Sequence, residues 1–252
     1  TLRARQDHMM HTETALFRFR GPWGGEVEVA PSILFLICVI VGVNAGAGTG
    51  ALIEAAIIAA ILVVSILLHE FGHAWGALVQ GVRVDRVVLH GGGGFCQHAA
   101  AGARASEFIV AMGPIVNLAL WACLSLGAEA LWASVPSDPL APPLATYAGR
   151  IELAAWLWFA ANLNLMLCVL NLIPVQPLDG GKLVHLALLR VLSESRALQL
   201  AGGIGLICAV LWIPAMILMF VTFGFVLLFL PSLRAHWEMF RGGARLNRLR
   251  RR

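Results

Sequence analysis

Charge is what this chain has least of. Asp, Glu, Lys and Arg make up 13% of its 252 residues and hydrophobic residues 59%, where a soluble domain carries about 25% charged residues. With a mean hydropathy of +0.81, that deficit excludes an ordinary water-soluble enzyme. Apolar windows of about 20 residues, rather than one buried core, become the unit of reading. Cysteine is sparse as well. Cys38, Cys96, Cys123, Cys168 and Cys208 are scattered with no CxxC pair, which excludes a disulfide framework and a cysteine zinc site and leaves small apolar packers. The formal net charge is +4, but the basic C-terminal stretch has no interleaved aromatics. Nucleic acid is therefore not an expected partner, whereas anionic lipid headgroups suit "RGGARLNRLRR". A signal-peptide layout is missing too, since the first apolar run begins only at Pro31.

The apolar runs predict an all-α polytopic membrane protein. Spans are expected at about 31–47, 51–79, 105–126 and 151–173. The block from Leu198 to Leu230 is too long for one span, and Pro214 at its middle predicts two shorter helices meeting near "LWIPAM". That makes about six transmembrane helices. On this count 17 of the 18 basic residues fall on one side, Arg150 being the exception. Basic residues favour the cytoplasmic side, so both termini are expected there. The expected organisation is a tail over 1–30, a membrane domain over 31–233 and a basic tail over 234–252, in a bacterial or archaeal plasma membrane.

Two stretches break the helical pattern. "LFRFRGPWGGEVEV" alternates on both sides of a Gly/Pro turn and predicts a β-hairpin. With a loop at 21–25, Arg20 faces Glu26 and Arg18 faces Glu28, opposite charges across strands. "VRVDRVVLHGGGGFCQH", after the second span, is β-branched and carries four consecutive glycines, which predicts a β-like re-entrant loop with a bend. An extended segment of this kind could pair with an unwound substrate by strand addition.

Against this apolar background "SILLHEFGHAWGALVQG" stands out, because ionisable groups in hydrocarbon are costly and mark functional sites. His69 and His73 are four residues apart and share a helix face. Glu70 lies beside the first histidine. This is the HExxH arrangement, in which the histidines bind zinc and the glutamate serves as general base. A helix end with snorkelling polar residues is the plainer explanation. His73 nevertheless lies about 12 Å of helix rise before Gly81, inside the bilayer and nearer its cytoplasmic face. A catalytic zinc needs a third protein ligand and an open position. Asp179, in "NLIPVQPLDGGKL", is one of four aspartates and follows span four on the same predicted side. A turn with Asp capping the next helix is the alternative. His90, Cys96 and His98 are too unevenly spaced to suggest a second metal.

With "HEFGH" in span two, "GPIVN" in span three and "NLIPVQPLDGG" after span four, the chain resembles the site-2 protease family of intramembrane zinc metalloproteases. The resemblance runs from the hairpin and "APSILFL" to the "LDGG" region; Lys182 stands where members commonly carry Arg. It implies one zinc per chain held by His69, His73 and Asp179, with Glu70 as the base towards the zinc-activated water. The implied reaction is hydrolysis of peptide bonds in or near transmembrane segments of membrane-protein substrates, in contact with the lipid bilayer. Asn117 and Asn171 are candidates for holding substrate backbone or a developing oxyanion; interhelical packing is the competing role for Asn117, and Asn162 and Asn164 share that ambiguity. A catalytically inactive scaffold and a metal-binding membrane protein, such as a transporter, are the rival functions. An intact Glu70 argues against the first, and the scarcity of further intramembrane polar groups against the second.

Overall fold

The structure is a computed structural model that describes residues 15–43, 48–136, 143–223 and 229–249. It forms two compact units, Thr1–Ala101 and Gly102–Arg252. Most of it is helical, and among the described residues four helices are long and apolar enough to cross a membrane. The chain is an integral membrane protein.

In the first unit, β1 (Phe17–Arg20) and β2 (Glu26–Val29) form the expected hairpin, with Arg18 opposite Glu28 and Arg20 opposite Glu26. The loop after the second span is likewise a hairpin, β3 (Val84–His90) and β4 (Gly93–His98). The two hairpins join: β2 pairs in parallel with β3, from Glu26 opposite Arg86 to Val29 opposite Leu89, giving one sheet in the order β1-β2-β3-β4. Glu28 anchors the junction, accepting from Arg86 at 3.1 Å with Arg18 at 3.6 Å. Helix α1 (Ser32–Val43) and the long α2 (Thr49–Val79) complete the unit. Val29, Leu89, Ile33 and Leu36 form a buried cluster that packs on Leu62, Val63, Ile66 and Leu67 of α2. That core ends at Leu67, two residues before His69.

The second unit contains α3 (Ala103–Ala133), a 3₁₀ turn (Leu144–Tyr147), α4 (Ala148–Asn171), α5 (Asp179–Leu189), α6 (Glu194–Phe223) and α7 (Leu233–Leu249). Helices α3 and α4 pack together, as do α6 and α7. Arg190, closing α5, forms a bidentate pair with Glu107 of α3.

The described residues bear on the six-span expectation at two places. The first span is helical over only 12 described residues; its expected end, 44–47, lies outside the described residues. Pro214 does not divide the last apolar block, because α6 runs unbroken through it. Proline inside a membrane helix loses one backbone hydrogen bond but is tolerated where neighbouring groups satisfy the freed backbone. Trp212 Nε1 donates to the Phe229 carbonyl at 2.8 Å, and Gly243 of α7 lies against Ser195 at the start of α6. Helix α7 thus packs along α6, with Gly243 beside the start of α6.

Candidate metal centre

The HExxH residues lie in the C-terminal half of α2, where the helix changes from lipid-type packing to a buried polar face. His69 and Glu70 are each 5% exposed and His73 is 7% exposed, while Trp75, Leu78 and Val79 point outwards. The i, i+4 spacing brings the two Nε2 atoms to 3.1 Å, and the two rings meet edge to face. His69, Glu70 and His73 offer ligand atoms all within 4.8 Å of one another. A tetrahedral zinc with Zn–N of about 2.05 Å sets its nitrogen ligands about 3.3 Å apart. The observed separation is close to that, and two imidazoles beside a carboxylate are donors that zinc accepts. The residues therefore fit such an ion. Among the described residues this is the one such grouping; His90, Cys96 and His98 do not gather. His90 Nδ1 instead accepts from the Gly92 N–H at 3.1 Å, and His98 Nδ1 lies 2.8 Å from the Ala99 carbonyl oxygen.

Two contacts fix this end of α2 within the first unit. Strand β4 lies directly on Glu70: a Cβ at Gly94 would stand 2.7 Å from Glu70 Cγ and 2.9 Å from Oε1. Only a residue without a side chain allows that approach. On another side, Trp23 in the β1–β2 loop meets Phe71 edge-on, with ring centroids 5.1 Å apart. Neither contact is legible in the sequence. The glycine run signals a bend, but nothing local says what the bend packs against.

Asp179 belongs to the second unit, as the first residue of α5, and is 3% exposed. Its Oδ1 accepts from Lys182 Nζ at 3.0 Å, one turn on, and the Lys182 side chain stays 45% exposed. The preceding "NLIPVQPL" segment folds back on the start of α5. Side chains at Gly180 and Gly181 would overlap the Leu172 and Val175 carbonyls, so the double glycine lets the loop close over the helix start. Asn171 is the last residue of α4 and half-buried. Asn117 is fully buried on α3 and donates to Asn164 Oδ1 of α4 at 2.8 Å; Asn164 in turn donates to the Ala160 carbonyl at 2.9 Å. That hydrogen bond joins α3 to α4, as an interhelical packing role for Asn117 requires. Asn162 donates to the Trp158 carbonyl of its own helix at 2.8 Å.

Comparison with known proteins supplies the wider context. The model of peptidase family M50 matches residues 128–212, the part of the chain that contains Asp179. A zinc metalloprotease of Methanocaldococcus jannaschii is 27% identical over 196 residues, 78% of this chain and 51% of that protein. Rip3 of Mycobacterium tuberculosis, named with the zinc metalloproteases, is 36% identical over 168 residues, 66% of this chain and 39% of Rip3. The chain thus spans about half, or less, of the length of these relatives. The solved structure of the site-2 protease from Methanocaldococcus jannaschii superposes with a TM-score of 0.58 at 23% identity, covering 91% of this chain and 94% of that one. This last likeness is one of fold.

Proposed function

Because the chain belongs to the site-2 protease family within peptidase family M50, we propose that it is an intramembrane zinc metalloprotease. Its substrates would be membrane proteins, cut in or near their transmembrane segments. The observation that carries this reading is the buried His69–Glu70–His73 cluster, with its two Nε2 atoms 3.1 Å apart on a membrane-length helix. His69 and His73, with Asp179 as third ligand, would hold one zinc and leave a position open. When bound there, zinc supplies Lewis-acid polarisation of the scissile carbonyl and acidifies water.

The chain's own residues do the rest. Glu70 takes a proton from the attacking water and returns it to the leaving amine, as a positioned general base and acid. The position of β4 supports a way of presenting the substrate. Among the described residues it is one of the two edge strands of the sheet, and it touches Glu70 through Gly94. An unwound substrate segment adding to that edge arrives beside the base with its peptide bonds extended. Asn171, and Asn117 if released from Asn164, are the groups assigned to substrate backbone. The membrane domain is assigned to 31–233, with 1–30 and 234–252 as flanking tails and both termini cytoplasmic. The site then lies in the bilayer near the cytoplasmic face.

The test is cleavage of a transmembrane reporter by the purified protein, with zinc content measured in parallel. Glu70→Gln is expected to keep zinc and lose cleavage, and His69→Ala to lose both. Equal cleavage by Glu70→Gln would refute the mechanism. An inactive scaffold would show no cleavage in the wild-type protein, and a transporter would move zinc across vesicles in the Glu70→Gln variant.

A further inference from the structure

A third buried histidine has no place in the mechanism above. His236, on α7, is 0% exposed. Its Nδ1 lies 2.8 Å from the Ser232 carbonyl oxygen, and its Nε2 lies 2.9 Å from the backbone nitrogen of Gln176. A carbonyl can only accept and a backbone N–H can only donate. Both contacts are made together by one form of the ring alone: neutral, with its proton on Nδ1 and a lone pair on Nε2.

The pocket for this ring is built by absence. A Cβ at Gly205 of α6 would overlap the imidazole at Cδ2 and Nε2, and one at Gly202 would stand 2.9 Å from the His236 carbonyl oxygen and 3.0 Å from the Met239 carbonyl carbon. Three elements therefore meet at one imidazole: α6 through its glycines, α7 through the histidine, and the loop between α4 and α5 through Gln176. Gln176 is three residues before Asp179, next to the fully buried Val175. The ring fixes a backbone amide in the short segment that delivers the Asp179 carboxylate.

We propose that His236 is a positioning residue for the metal centre, its Nε2 holding the Gln176 backbone so that the loop presents Asp179 in one place. This rests on the reading of Asp179 as a zinc ligand. It assigns a role to α7, a segment the family-model match does not reach. Groups that orient a ligand from outside the coordination shell typically change metal affinity by about 10–100-fold. His236 acts through three residues of backbone, so the lower end applies.

The experiment uses the full chain in detergent. Zinc affinity is measured by chelator competition, and the amide exchange of Gln176 by mass spectrometry. In His236→Asn the amide oxygen falls short of the Nε2 position, whereas in His236→Gln it reaches that position and can accept from Gln176. Gly205→Ala keeps both partners but drives a methyl into the ring. The expected result is about tenfold weaker zinc binding and faster Gln176 exchange in His236→Asn and Gly205→Ala, with both restored in His236→Gln. Wild-type zinc affinity in folded His236→Asn and Gly205→Ala overturns the proposal. So does an equal loss in His236→Gln, which would mark a packing role. Asp179→Asn separates the premise: if it too binds zinc as tightly as wild type, the ligand reading of Asp179 fails and the proposal with it. Should His236→Asn not fold, Gly205→Ala decides alone.

Discussion

Adding one methyl group at Gly94 is expected to disable the base proposed at Glu70 without touching the proposed metal ligands. The Cβ of Gly94→Ala would stand 2.7 Å from Glu70 Cγ, where carbon atoms prefer about 3.5–4.0 Å. The shortfall is about 1 Å, and something must move by that amount. Strand β4 is held by its ladder to β3, where Gly94 faces Leu89. The Glu70 side chain needs only a rotamer distortion of about 0.5–1.5 kcal/mol, so the carboxylate yields first. Overpacking of this kind costs about 1–3 kcal/mol of stability. A misplacement of about 1 Å in a catalytic group costs about 10²-fold in rate, within the 10²–10⁴ that general base catalysis contributes. The expected outcome for Gly94→Ala is a kcat lower by about 10²-fold, with KM little changed and zinc content retained. The assay is steady-state cleavage of a transmembrane reporter. Gly92→Ala, whose methyl would meet only the edge of the His90 ring at 3.3 Å, serves as control. Wild-type kcat in a folded Gly94→Ala protein would refute the contact between β4 and the base.

Other consequences can be checked on the same preparation. The Asn117–Asn164 hydrogen bond across two membrane helices should show a coupling of about 0.6 kcal/mol in a double-mutant cycle, read from unfolding in detergent; a Asn117→Ala variant with intact stability but abolished cleavage would instead place Asn117 on the substrate. Trp23→Ala with Phe71→Ala should give a coupling of about 0.5–1.5 kcal/mol for the edge-on ring pair, and additivity of the two would remove the contact. Burial lowers the His185 pKa below its usual 6.5, with Glu194 opposing part of the shift. The unfolded chain then takes up the proton first. Stability should be level above pH 6.5 and fall as pH drops from there towards the lower folded value, and His185→Gln should flatten that slope in a series of unfolding midpoints.

Local chemistry was legible from the residues. Arg18 and Arg20 facing Glu28 and Glu26 set the register of the first hairpin, and four-residue spacing put His69 and His73 on one helix face. What the sequence did not disclose depends on partners distant along the chain. Parallel pairing of β2 with β3 joins residues about sixty positions apart, and no local pattern encodes it. Pro214 signals a break by its own chemistry, but tolerance of it depends on surrounding helices. His236 in an otherwise amphipathic basic segment looks like a surface residue until the glycines of α6 are known to face it. The same holds for Gly94, whose meaning is the carboxylate beneath it.

The sheet has two ends, and the chain equips them differently. β1 is four residues long and alternates exposed Phe17 and Phe19 with Arg18 and Arg20, a short charged edge of the sort that discourages stray strands from docking. β4, reading Gly-Gly-Phe-Cys-Gln-His, bears no Lys, Arg, Asp or Glu. An edge without such gatekeepers does not itself discriminate among extended segments. Fidelity then cannot reside in the edge itself. If substrates add to β4 as proposed, selectivity would be set by which polypeptides unwind within reach of it, and so by their helix stability as much as by their side chains.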